Sequence, residues 1–90
     1  MEITVEVSLY PLTENFEQVV IDYIHAIKKT QGIKVIVNGL STQVFGEYTV
    51  VMNCMTDVNR AFFETQRCVI LMKMAAGEKS TENLPETLKF

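Results

Sequence analysis

Ninety residues make one domain, and a chain of this size hides only roughly 60–65% of its unfolded surface, so oligomerisation is a natural supplement to its small core. A hydrophobic share of 48% against 21% charged residues excludes disorder as the main state. A net charge of −3 and an isoelectric point near 5.0 argue against duplex nucleic acid and anionic membrane surfaces, which need concentrated Lys and Arg.

Residues 2–10 alternate, with Ile3, Val5, Val7 and Leu9 on one face and Glu2, Thr4, Glu6, Ser8 and Tyr10 on the other. That is the pattern of a half-buried strand. Pro11 lacks an N–H for the ladder and ends it. The acidic, alternating start is unlike a signal peptide, and the expected compartment is the cytoplasm. Thr13, Glu14 and Asn15 offer capping and early negative charge to a helix over residues 14–30. Its apolar stripe is Phe16, Val19, Val20, Tyr23, Ile24 and Ile27. Lys28 and Lys29 suit the last turn, and Gly32 suits the stop. His25, the only histidine, falls opposite the stripe and is expected in solvent.

Ile33–Val37 and Leu40–Phe45 read as two strands joined at Asn38-Gly39, a strong hairpin signal. A two-residue loop there sets Val37 opposite Leu40, Val35 opposite Thr42 and Ile33 opposite Val44. Gly46 is expected to end the third strand and open a helix. Ser41 and Thr42 then point to opposite faces, and Thr42 is the one hydroxyl on an apolar face. A buried hydroxyl needs a partner, either backbone or a ligand.

Residues 47–66 carry Tyr48, Val51, Met52, Met55 and Phe62 at helical spacing for too long to be a strand. Asn59 falls within that apolar arc, so it pairs internally or lines a pocket. Arg67–Met74 reads as a fourth strand, with Cys68, Ile70, Met72 and Met74 alternating against Val69, Leu71 and Lys73. The longest apolar run, Cys68–Met72, is too short to span a bilayer. The methionines read as gap-filling core or interface. Cys54 and Cys68 form no CxxC pair and read as free thiols in a reducing compartment. Residues 76–90 lose the periodicity, leaving a loose tail or a docking segment around Leu84, Leu88 and Phe90.

The order βαββαβ with one central hairpin predicts an α+β ferredoxin-like sandwich over residues 1–75. Its antiparallel four-stranded sheet carries both helices on one face. The other face is left open, mixing Glu6, Ser8 and Tyr10 with Ile36, Phe45 and Leu71. Such a face is too apolar for water and too polar for an ordinary core, so it is expected to pair with another sheet or hold a ligand at its edge.

Val7-Ser-Leu-Tyr-Pro-Leu12, Gly39-Leu-Ser-Thr42 and Gly46-Glu47 leading to Val51-Met52 resemble the YkoF-like thiamine-binding family. The resemblance covers residues 1 to about 75 in element order and spacing. It implies a ferredoxin-like domain that pairs sheets in a homodimer or homotetramer. It also implies binding of thiamine, or of its hydroxymethylpyrimidine part, without catalysis and without a cofactor. Fourth strand and tail match less clearly.

The ligand chemistry suits several of these residues. An aminopyrimidine wants paired donors and acceptors, which Ser41, Thr42 and Ser8 can offer. Tyr10, Phe45 and Tyr48 could stack on either ring, and Glu6 or Glu47 could offset the thiazolium charge. Each has a structural role open to it as well: Glu6 on a solvated strand face, Glu47 at a helix N-terminus, Tyr10 and Phe45 in an interface. The competing function is a regulatory or assembly module that oligomerises through its open sheet without a small molecule. An enzyme is disfavoured, because no Ser-His-Asp, Cys-His or metal-ligand cluster is visible. The aromatic-bearing sheet lacks the Lys and Arg an RNA platform needs.

Overall fold

The computed structural model describes residues 1–79 and 86–88. It contains β1 (Glu2–Pro11), α1 (Phe16–Lys28), β2 (Ile33–Val37), β3 (Thr42–Glu47), α2 (Tyr48–Thr65) and β4 (Cys68–Ala76). One antiparallel sheet holds the strands in the order β2-β3-β1-β4. This is the ferredoxin-like arrangement: α1 crosses from β1 to β2, and α2 from β3 to β4. No helix of the described residues is long and apolar enough to cross a membrane.

Alternation in β1 drives the core. Ile3, Val5, Val7 and Leu9 are all buried against the helices, and each buried aliphatic side chain of this size contributes roughly 1.5–3 kcal/mol. From α1 come Val19, Tyr23 and Ile27, spaced four residues apart. Opposite them α2 supplies Val51, Cys54 and Met55. The Tyr23 and Phe62 rings meet edge to face with centroids 5.2 Å apart. Phe16, read as the start of the stripe, is exposed instead, because it stands at the first helical position beyond the edge of the core.

Three local expectations are corrected. The hairpin is not closed by two residues: Val37 pairs with Thr42, Val35 with Val44 and Ile33 with Gly46. The register is displaced by two residues, so each side chain keeps its face, but the turn now spans residues 38–41. Leu40, expected on a strand, is 91% exposed in that turn. Gly46 does not end β3 but sits within it, opposite both Ile3 and Ile33. A Cβ there would lie 3.1 Å from the Gly32 carbonyl and 3.1 Å from Val51, so glycine is what lets α2 start close to the sheet.

The third correction concerns the face turned away from the helices. At one end it is covered: Thr4 and Phe45 are each only 4% exposed. Beyond β4 the chain turns at Gly77 with φ +82°, and the Gly77 N–H donates to the Glu2 carbonyl at 2.8 Å. The Thr4 hydroxyl donates to the Gly77 carbonyl at 2.7 Å and accepts from the Lys79 N–H at 2.8 Å. Glu78 pairs with Lys34 at 3.4 Å, and the Lys34 ammonium lies 5.6 Å from the centre of the Phe45 ring. Leu88 belongs to a short 3-10 turn and is exposed. Leu84 and Phe90 lie outside the described residues.

Candidate functional site

The last β1–β3 pair is Val7 with Thr42, whereas β1 runs on to Pro11 beside β4. Ser8, Leu9 and Tyr10 therefore have a strand on one side only. Along an antiparallel strand every second residue aims its N–H and C=O at a given edge. On the β3 side these groups have no strand to bond, and among the described residues no backbone hydrogen bond ties them to the turn.

The turn at residues 38–41 stands across that edge. Asn38 builds it: its Oδ1 accepts from the Leu40 N–H at 3.1 Å and from the Ser41 N–H at 3.0 Å. Its own N–H donates to the Ser41 carbonyl at 3.0 Å. This is why Asn stands there, since a side-chain amide can replace the backbone in closing such a turn. The Ser8 hydroxyl donates to the Leu40 carbonyl at 3.3 Å and holds the turn against β1.

Between turn, strand end and α1 lies a pocket of about 200 Å³. Val7, Leu9, Val20 and Ile24 give it an apolar lining, and Ser8, Tyr10, Tyr23, Asn38, Ser41 and Thr42 bring polar atoms. Thr42 is 5% exposed, and among the described residues nothing hydrogen-bonds its hydroxyl. Ser41 has only a 3.5 Å contact from its hydroxyl to Asn38 Oδ1. On a regular strand these two side chains would part to opposite faces. Because Ser41 belongs to the turn and β3 begins at Thr42, both border one pocket.

Tyr23 was expected only as core, yet it lines this pocket. Its hydroxyl donates to Asn59 Oδ1 at 2.5 Å, and Asn59 Nδ2 donates to the Met72 sulfur at 3.4 Å. Asn59 thus pairs internally, across to α1. Burial pushes the Tyr23 phenol well above its usual range, and repulsion from Cys54 and Cys68 thiolates adds to the rise. A phenol held neutral here can hydrogen-bond but has no acid–base role near neutrality. The signal in the sequence was the asparagine in the apolar arc of α2; nothing marked its partner.

Four of the candidate residues lie elsewhere. Glu6 points to the other sheet face and pairs with Lys73 at 3.1 Å. Phe45 lies on that same face, beside Thr4 and Lys34. Glu47 caps α2, its Oε2 accepting from the Val50 N–H at 3.1 Å. Tyr48 stands half-exposed at the far end of the sheet near Met1, Ile3 and Met74. Among the described residues, no carboxylate lines the pocket. Among the described residues, no group of three His, Cys, Asp or Glu side chains could hold a metal ion.

The family model described as "Thiamine-binding protein" matches residues 5–89. The chain belongs to the thiamine-binding protein family. Solved structures share its fold. A Thermotoga maritima protein provisionally assigned to thiamine biosynthesis or salvage superposes with a TM-score of 0.76 at 24% identity, covering 91% of this chain and 92% of that one. A Streptococcus pneumoniae protein gives 0.70 at 24% identity, covering 87% and 89%. A Methanocaldococcus jannascii protein gives 0.70 at 20% identity, covering 97% and 92%. No curated protein sequence matches the chain. At these identities the superpositions speak for the fold of this thiamine-binding family member and for nothing finer.

Proposed function

We propose that the protein binds the pyrimidine end of thiamine, or free hydroxymethylpyrimidine, in the pocket between the 38–41 turn, the end of β1 and α1. The observation that carries this reading is Thr42, a buried residue whose hydroxyl reaches the rim of a preformed pocket with no hydrogen bond among the described residues. A hydroxyl at a pocket rim that no protein group engages can both donate to and accept from a ligand. The unpaired edge of β1 supports the same reading, since alternating backbone donors and acceptors suit an aminopyrimidine. Membership of the thiamine-binding family adds weight from outside the geometry.

Size and charge favour one ring inside. A volume of about 200 Å³ lies below the roughly 300 Å³ at which pockets begin to hold drug-sized molecules. Without a carboxylate in the lining, the thiazolium cation is better placed outside, against the exposed Tyr10 ring, a contact worth about 0.5–1 kcal/mol. Free hydroxymethylpyrimidine should keep most of the affinity. Titration calorimetry with both compounds tests this, and absence of heat from either at high micromolar concentration would sink it.

The same reading takes the protein as a non-catalytic binder in the cytoplasm. The lining offers hydroxyls, one amide and a phenol held neutral, and His25 stands exposed on α1 outside it. Sheet pairing into a homodimer or homotetramer completes it. Tyr10, Val69 and Leu71 support that part, for they are exposed apolar side chains grouped at one end of the sheet face. If small molecules give no heat while the protein is a stable oligomer, the assembly-module reading replaces the binder.

A further inference from the structure

Strand pairing fixes which residues of β1 aim their peptide groups at β3. The Tyr48 N–H donates to the Met1 carbonyl at 2.8 Å, extending the β1–β3 register by one pair. The N–H and C=O of odd-numbered residues in β1 therefore point to β3. On the other side, the Gly77 N–H donates to the Glu2 carbonyl at 2.8 Å and the Leu12 N–H to the Arg67 carbonyl at 2.7 Å, so even-numbered residues point to β4. Both registers run without a bulge. After Val7, the next residue facing β3 is Leu9. A longer β3 would set Leu40 opposite it, but Leu40 belongs to the turn. Its N–H goes to Asn38 Oδ1 and its carbonyl accepts from the Ser8 hydroxyl. Among the described residues, no hydrogen bond reaches the Leu9 N–H or carbonyl on this side.

We infer that Leu9 reads the ligand through its backbone: its N–H donates to a ring nitrogen, and its carbonyl accepts from the exocyclic amine beside that nitrogen. The inference rests on the pyrimidine reading above and deepens it by assigning a partner to the amine. In an extended strand the N–H and C=O of one residue lie side by side and point the same way, which is how a ladder exchanges two bonds with one opposing residue. An aminopyrimidine carries the complementary acceptor and donor at the corner where ring nitrogen and amine adjoin. It can stand where a longer β3 would have paired.

The cavity brings this edge within reach. Val7 and Leu9 line it with side chains that face the helices, and Ser8 and Tyr10 with side chains on the opposite face, so the pocket wraps around the strand edge itself. The edge is also short. Pro11, the next residue that faces β3, has no N–H. An added peptide strand would find one donor here, whereas a single ring uses the whole Leu9 pair. A cavity of about 200 Å³ matches that size of occupant. The ligand class is thus one six-membered heterocycle with a ring nitrogen next to an exocyclic amine.

Amide hydrogen exchange followed by NMR on the full-length protein, together with calorimetry, tests the assignment. In the free protein the Leu9 amide should exchange at least about tenfold faster than those of Ser8 and Tyr10, whose N–H groups bond β4. Saturating hydroxymethylpyrimidine should slow Leu9 exchange about tenfold or more. The same ring with hydrogen in place of the exocyclic amine should bind about tenfold more weakly, the loss expected for one hydrogen bond. Heat from hydroxymethylpyrimidine with no protection of the Leu9 amide would overturn the assignment and leave pyrimidine binding standing. Equal affinity for the amine-free ring would overturn the pairing of amine and carbonyl. Leu9 exchange as slow as that of Ser8 and Tyr10 in the free protein would show the edge already paired and overturn the premise. No heat from hydroxymethylpyrimidine would overturn the pyrimidine reading and this inference together.

Discussion

The two ends of β1 obey the same alternation and meet opposite fates. At the Thr4 end the strand is flanked on both edges, and the chain beyond β4 turns back to bond a polar side chain on the outer face. At the Tyr10 end β3 has stopped, the turn stands off the edge, and a pocket opens beside an unpaired hydroxyl. What differs is not the strand but where its neighbours end. The pocket opens where regular pairing is cut short, and there the β3-side edge of β1 and the Thr42 hydroxyl have no hydrogen-bonded partner among the described residues apart from the Ser8 contact to the turn.

The largest effect should come from the closed end. Gly46→Val places a side chain against Gly32, Ile33 and Val51, and overpacking of this kind costs about 1–3 kcal/mol. Urea denaturation should show the loss, and an unchanged midpoint would mean that α2 can shift freely. At the open end, Thr42→Val should weaken pyrimidine binding about tenfold, roughly 1.4 kcal/mol, with the fold as stable as before or slightly more so. Calorimetry and denaturation on one sample separate the two quantities. Equal affinity in that variant would move the site away from Thr42.

Tyr23→Phe joins the two regions through the core. It leaves Asn59 Oδ1 without its donor, at a cost of about 1 kcal/mol near pH 7. It should also change the pH profile. The folded phenol titrates above its unfolded value of 10.0, so its contribution is complete below that pH and is lost as pH rises above it. The parent protein should therefore lose stability above about pH 10 more steeply than Tyr23→Phe, and matching slopes would contradict the burial argument. The smallest change should be Asn38→Ala, which removes the acceptor closing an exposed turn. About 0.5–1 kcal/mol of stability and a few-fold in ligand affinity are expected.

Much of this was legible in the residues. Alternation in β1, the stripes of α1 and α2 and the order of elements lead directly to the ferredoxin-like sandwich, since each rests on a period that burial enforces. Thr42 stood out as a hydroxyl on an apolar face. Its neighbour Ser41 could not be placed, because a turn of two residues and a turn of four leave the same faces buried. Glu6 and Glu47 were plausible counter-ions by residue type alone. Lys73 and the start of α2 engage them instead.

The sequence by itself determined which face of β1 meets the helices and most of the stripe that each helix buries, because hydrophobic periodicity is a local property that any compact packing must respect. Only the tertiary structure decided where pairing stops. That depends on where β3 begins beside β1, on the course of the chain after Gly77, and on which distant side chain meets Thr4, Tyr23 or Glu6. Those contacts join residues far apart in the chain, and no local period encodes them.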